Sequence, residues 1–268
     1  MHMAFTRDEL LATVELSPQA AGAHDRQGWV GLFAAGGQVE DPVGSRPHRG
    51  PTQIERFYDT FIAPRDITFH RDVDIVSGST VIRDLELEVA MGPSVSMRIP
   101  AYLRYAVSAG ADGPRIGQLQ AYWELPAMIG QFAKAGPGAV PVGLRLAAAL
   151  LRNQGPAGTL GFAKGMGGAG RAGKRLLTGL LDDLCAGDAV AVQRRIGADT
   201  VICFGDDAPL STSGLVERTT GASWRKLIAS GSSLAAGLDR DGRRAVLIAD
   251  VGRGARAVTR LRYFADAT

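Results

Sequence analysis

The residues best placed to do chemistry lie in Val39-Glu40-Asp41-Pro42-Val43-Gly44-Ser45-Arg46-Pro47-His48-Arg49-Gly50. Asp41 stands immediately before a proline, at the end of a short strand-like run. A carboxyl group held there, at the rim of an apolar pocket, has its charged form disfavoured by burial. Its pKa rises towards the range in which it can take up and return a proton. The plainer role for the same residue is to end a strand and cap a turn. Other constellations are weaker. His2, His24, His48 and His70 have no paired ligand spacing, and Cys185 and Cys203 are far apart, so no metal site is expected. The pattern GxSxG is absent, which removes a nucleophile elbow. Gly165 to Gly170 fits GxGxxG and Gly168 to Lys174 fits GxxxxGK. No strand precedes the first, and Arg175 stands where the second needs Ser or Thr. No cofactor is expected.

The elements that must position Asp41 follow from hydrophobic period. Residues 8–23 read as a helix kinked or interrupted at Pro18, and Asp25 as the cap of a second helix carrying Trp29 and Phe33. A third helix after Gly50-Pro51 places Ile54, Phe57, Tyr58 and Phe61 on one stripe. The period then becomes two over residues 68–77, 80–91, 95–107 and 116–125. Alternation puts Met97, Ile99, Ala101, Leu103 and Tyr105 on one face and Arg98, Tyr102 and Arg104 on the other. Asp84, Glu86 and Glu88 are expected on a polar face, paired with Arg98 and Arg104 across the hairpin. Residues 171–268 repeat the order of elements, with helices at 176–184, 189–196 and 216–229 and strands at 200–204, 232–239, 245–251 and 255–264. Asp206 and Asp207 read as turn residues. The expected division is 5–134, a Gly/Pro-rich basic linker at 135–170 with a short helix at 142–152, and 171–268.

Asp41, Tyr58 seventeen residues on, and Gln120-Ala121-Tyr122-Trp123, in that order, resemble the bacterial ketosteroid isomerases, and more broadly SnoaL-like and nuclear-transport-factor-2-like proteins. The resemblance covers roughly residues 10–134. It implies an α+β fold in which a curved antiparallel sheet wraps helices into a cone, here in two tandem copies packed sheet against sheet as an internal pseudo-dimer. It implies Asp41 as a proton-shuttling base, Tyr58 as support for an oxyanion network, and Phe33, Phe57, Ala101, Tyr105 and Trp123 about an apolar ligand. Thr13 and Ala101 fall where that family has its oxyanion tyrosine and aspartate. Loss of one such donor costs about 10²–10³ in rate. Tyr105, whose plainer role is core packing, is the best substitute donor, ahead of Tyr102 and Tyr122. Cofactor-free isomerase-type proton transfer by Asp41 therefore competes with a non-catalytic binder or carrier of an apolar ligand, and with a scaffold whose pocket takes a partner protein.

Bulk properties set the bounds. The chain has 268 residues, 46% hydrophobic and 21% charged, enough to bury a core without cross-links. Net charge is only +3 and no run of five like charges occurs, so no nucleic-acid partner is expected. Two cysteines suit a reducing cytoplasm. No signal peptide and no apolar run of about 18 residues is seen, so no membrane-spanning segment is expected. Residues 125–181 carry seven Lys or Arg and no acidic residue. They read as a linker, with a membrane- or acid-binding surface as the alternative. Self-association is compatible with the fold.

Overall fold

The computed structural model describes residues 5–91, 95–134, 136, 140–149, 152–153, 168–252, 254 and 257–266. Helix α1 (Arg7–Gly22) begins in a capping box. Thr6 Oγ1 accepts from Glu9 N while the Glu9 carboxylate accepts from Thr6 N. Asp25 caps α2 (Arg26–Gly31) through Gly28 N. Strands β1 (Phe33–Glu40) and β2 (His48–Arg49) lead into α3 (Gly50–Phe57), which continues as a π-helical turn, Tyr58–Ile62. Strands β3 (Asp66–Ser77), β4 (Thr80–Ala90), β5 (Ser96–Gly110) and β6 (Gly113–Tyr122) follow, then α4 (Leu125–Lys134).

The strand order is β2-β1-β6-β5-β4-β3. β3 to β6 form an antiparallel meander, but β1 runs parallel to β6, so the sheet is mixed rather than wholly antiparallel. Because helices connect β1 to β3, β1 is free of the direction a hairpin would impose. One face of this sheet, with Leu85, Ile99, Leu103 and Tyr105, closes on Leu10, Val14, Trp29 and Phe57 from the helices. Residues 140–149 are also helical (α5), and Val142 and Leu146 pack against the same core. Residues 140–149 of the segment expected as a linker thus lie against the first half. Gly155, where its helix was expected to stop, lies outside the described residues, as do Gly165 and Gly167 of the GxGxxG run.

The second half repeats the architecture. Helices α6 (Gly170–Ala186) and α7 (Ala189–Arg195) precede β7 (Val201–Phe204) and β8 (Ala208–Pro209). Then come α8 (Thr212–Thr219), β9 (Ser223–Ser230), β10 (Ser233–Arg240), β11 (Arg243–Val251) and β12 (Val258–Ala265). The order β8-β7-β12-β11-β10-β9 matches the first sheet position for position, including a parallel β7–β12 pair. The entry to the second helix is also repeated. His24 and Gly187 both have positive φ, and Asp25 and Asp188 both cap the helix that follows.

Two expectations about helices are corrected, and the first is that α1 runs from Arg7 to Gly22 with Pro18 inside it rather than broken there. The helix expected over 216–229 ends at Thr219, and Trp224, Leu227 and Ile228 lie on strand β9. Their spacing imitates a helical stripe, but Gly221 at φ 78° turns the chain and pairing with β10 decides its conformation.

The two sheets pack back to back. Ile75, Ile82, Tyr102 and Tyr122 of the first bury against Ile228, Val246, Ile248 and Phe264 of the second. Charges frame this apolar layer. Arg104 pairs with Asp206 at 2.6 Å and donates to Gln118 and Gln120, while Thr80 Oγ1 also donates to Asp206. Asp84, 2% exposed, meets Lys226, Arg225 and Arg244 from the second half. The expected pairing across the first hairpin therefore holds only for Arg98, which meets Glu86 and Glu88. Asp84 and Arg104 point at the other sheet, which supplies stronger partners in a drier place.

Lys226 reaches that far because it sits at φ 47°, at an irregularity in β9. A non-glycine residue there is strained. Its ammonium is repaid by bonds to Asp84 and to the carbonyls of Leu85 and Ala101, and lies 4.4 Å from the centre of the Tyr102 ring.

Candidate functional site

The first cone encloses a cavity of about 320 Å³, within the range of small-molecule sites. Its wall is almost wholly apolar: Phe57, Phe61, Val89, Met97, Leu119 and others drawn from α3, the π-helical turn and strands β3 to β6. Four polar side chains break it, Ser17, Asp41, Arg65 and Tyr105, together with the indole of Trp123.

Asp41 arrives there because β1 runs beside β6, pairing Glu40 with Gln120 and placing the next residue level with the end of that strand. Val43 N donates to Ala121 O at 2.9 Å, and Glu40 accepts from both Gly44 N and Gln120 Nε2 at 2.8 Å, so the loop beyond Asp41 is tied on both sides. The Asp41-Pro42 peptide is cis. Trp123 Nε1 donates to Asp41 Oδ1 at 2.5 Å. Burial pushes the Asp41 carboxyl up to about 6, against the opposing pull of the Trp123 hydrogen bond and the Arg65 charge.

Arg65, which the sequence reading did not single out, is buried in the same wall. Its Nη1 donates to Thr60 O at 2.8 Å, and the guanidinium lies 5.7 Å from the centre of the Phe61 ring. Burial lowers its pKa to about 10, with Asp41 acting in the other direction. Nothing local marks Arg65 as a pocket residue, since it follows Pro64 in what reads as a helix-to-strand turn.

Of the residues expected about a ligand, Asp41, Phe57, Tyr105 and Trp123 line the cavity. Phe33, Tyr58 and Ala101 do not. Phe33 is buried behind Trp29 with ring centres 4.9 Å apart, and Tyr58 packs on the same indole at 5.6 Å. Ala101 is buried, and its carbonyl accepts from Lys226 on the far side of the sheet. The helical stripe that links Phe57 with Tyr58 runs on into the π-helical turn, which rotates Tyr58 off the cavity wall.

The tyrosine hydroxyls divide by face. Tyr102 Oη donates to Lys226 O and Tyr122 Oη to Gln120 Oε1, both in the layer between the sheets. Tyr105 Oη faces inward, is fully buried, and has no hydrogen-bond partner among the described residues. Ser17 lies beside it without meeting hydrogen-bond geometry, its own Oγ accepting from Trp29 Nε1 at 3.2 Å. Burial raises the Tyr105 pKa, so this hydroxyl is a neutral donor. A buried hydroxyl without a partner is costly unless a ligand or water meets it.

The second half grips this site from behind. Ser230 Oγ donates to Val43 O at 3.0 Å, and Gly44 and Gly231 approach so closely that a Cβ on Gly44 would lie 2.4 Å from Gly231 Cα. Glu124, next to Trp123, accepts from Ala229 N and pairs with Lys174. Both members of the Asp41–Trp123 pair are therefore anchored to the other cone.

Residues 9–128 match the family model of the nuclear transport factor 2 (NTF2) domain. The first half of the chain is an NTF2-like domain, and the identical strand order of the second half makes the molecule two NTF2-like copies in one chain. Similar solved structures include a Δ5-3-ketosteroid isomerase from Mycobacterium sp., 25% identical, covering 44% of this chain and 95% of that one with a TM-score of 0.41. RV0760c from Mycobacterium tuberculosis, in complex with estradiol-17beta-hemisuccinate, is 24% identical over 44% of this chain and 95% of its own, with a TM-score of 0.40. A computationally designed 17-OHP binder is 22% identical over 44% and 95%, also with a TM-score of 0.40. Among the described residues no helix is long and apolar enough to cross a membrane, and no cluster of metal-ligating side chains occurs.

Proposed function

We propose that the first cone binds a small, rigid, apolar molecule carrying a carbonyl group, of steroid or polyketide type, and that Asp41 moves a proton on it. The observation that carries this reading is a carboxyl group with a pKa of about 6, facing an apolar cavity and held by Trp123. Above that pH the carboxylate takes a proton from the carbon next to the carbonyl. With Oδ1 occupied by the indole, Oδ2 receives it. The neutral acid then returns the same proton to a different carbon of the conjugated system, so the step is an isomerisation with no net consumption of acid or base. Negative charge develops meanwhile on the carbonyl oxygen. Tyr105 Oη is the donor best suited to meet it, and the Arg65 guanidinium adds favourable potential from the same wall. No cofactor takes part in this scheme.

A second reading is favoured by a specific observation. The positions where the isomerases keep two oxyanion donors hold Thr13, whose Oγ1 is spent on Glu9 O at 2.7 Å, and Ala101, which has no donor. A pocket so depleted suits a binder or carrier. Isomerisation of 5-androstene-3,17-dione, followed at the absorbance of the conjugated enone, separates the two. Turnover abolished by Asp41→Asn supports proton transfer. Steroid binding without turnover in either protein leaves the carrier.

A further inference from the structure

We infer that the roof of the pocket is a docking surface for an anionic lipid bilayer, from which the apolar ligand enters directly. The roof is α4 with α5. Met128, Ile129 and Phe132 of the first, and Gly143 and Leu146 of the second, line the cavity from above. The opposite side of the same helices is apolar where a soluble surface would be polar. Ile129 is 43% exposed, Val140 61% and Leu144 68%, three of the few large hydrophobic side chains the described residues leave in water. Ile129 belongs to both sets, touching the cavity and the outside at once. Val140 and Leu144 are four apart and share a helical face, while Val142 and Leu146, also four apart, pack inward.

Charge chooses the partner. Residues 125–181 contain seven Lys or Arg and no acidic residue, and two of the seven, Lys134 and Arg145, lie on the roof helices. Lys134 ends α4 and Arg145 adjoins Leu144; both are exposed, and neither pairs with a carboxylate among the described residues. Exposed apolar side chains flanked by cations without counter-charges fit the interface of an anionic bilayer. There the hydrocarbon receives the former and the headgroup phosphates the latter. A protein groove would be expected to answer with shape and mixed polarity, of which this roof shows little. The surface also lies where the chemistry of the site needs it. A ligand apolar enough to fill this cavity partitions into membranes, and a roof seated in the bilayer spares it a passage through water.

The purpose of the surface rests on the apolar-ligand reading, but its existence is tested without it. The full chain is floated with vesicles of phosphatidylcholine alone and with about one-third phosphatidylglycerol added, in low salt and in about 0.5 M NaCl. Two double variants are compared, Val140→Ser with Leu144→Ser, and Lys134→Glu with Arg145→Glu. None of the four lines the cavity, and all are exposed, so the fold and solution binding of androstenedione should be kept. The expected result is binding to the anionic vesicles only, weakened about tenfold or more by high salt and by either double variant. Absence of vesicle binding in the wild type overturns the proposal, as does binding that survives both double variants. Wild-type self-association at this face, reversed by Val140→Ser with Leu144→Ser, also overturns it in favour of a second copy of the chain. Androstenedione binding measured in solution without vesicles reports on the pocket alone, so failure of the pocket reading is seen separately.

Discussion

The two cones share a strand order and differ in what fills them. In the first, β1 ends at Glu40 and the next residue is Asp41, facing a cavity. In the second, β7 ends at Phe204 and the next residue is Gly205, whose amide donates to Tyr263 O at 2.8 Å. The interior of the second cone is built from fully buried leucines, Leu177, Leu180, Leu181, Leu184, Leu215 and Leu247 among them. Its buried polar side chains, among the described residues, are only Thr219, Ser230 and Ser233. The first cone buries Arg65, Arg83 and Asp84. A cone can thus spend its interior on packing or on a site. The packed copy here lends rigidity to the other through Ser230, Gly231 and Lys226. A side chain that faces a cavity is held in place by its surroundings, and a copy whose described interior is packed with leucines is well suited to brace it.

The comparison breaks most sharply at Asp41. Asp41→Asn is expected to lower kcat/KM for enone formation by about 10²–10⁴-fold with little change in steroid affinity. In the wild type, kcat/KM should rise with pH and level off above about 6, as the carboxylate forms. An unchanged rate in the variant would remove Asp41 from the chemistry.

Next in size is the charge cluster between the sheets. Asp84→Ala leaves Lys226, Arg225 and Arg244 without their buried counter-charge and should cost about 3–5 kcal/mol in urea unfolding. If the cost were below about 1 kcal/mol, the second cone would be a passenger rather than a support.

Giving the second cone the first cone's residue sharpens the contrast. Gly205 has φ 62°, and a Cβ there would lie 2.9 Å from Ser77 Oγ of the other half. Gly205→Asp should destabilise by about 1–3 kcal/mol in thermal melts and confer no proton transfer on a protein already carrying Asp41→Asn.

The smallest effect is the stability cost of the site itself. The folded-state pKa of Asp41, about 6, is above its ordinary value of 3.8. The associated stabilisation is complete below the ordinary value and is lost as pH rises through about 6. Asp41→Asn should therefore be more stable than wild type by about 1–2 kcal/mol at pH 8 and level with it near pH 4. His48 acts in the opposite sense. Burial lowers its pKa from 6.5 to about 4, so the folded state loses stability as pH falls through that window. Removing Asp41 should expose this slope, and unfolding free energy in the variant should rise more steeply with pH between about 4 and 6.5 than in the wild type.

Much of this was legible in the chain. The change of period after Pro64 gave strands within a few residues of β3 to β6, and Asp25 announced the cap of α2. Alternation along β5 gave the inward face of Met97, Ile99, Leu103 and Tyr105. Where reading failed, a neighbour distant in sequence had decided. Strand β9 looked helical until β10 paired with it, and Asp84 looked like a hairpin partner of Arg98 until a second sheet arrived.

The sequence by itself determined the two-fold order of elements, the Asp-Pro step at a strand end and the acid-free stretch at 125–181. These are consequences of side-chain type and local spacing. The tertiary structure decided that Trp123, 82 residues away, would hold Asp41. It also decided that Arg65 would share the cavity, that Tyr58 would turn off its wall, and that Ser230 would brace the loop from the other cone. Such contacts depend on which strands become neighbours and which faces are sealed from water, and that is settled by the burial of the whole chain at once.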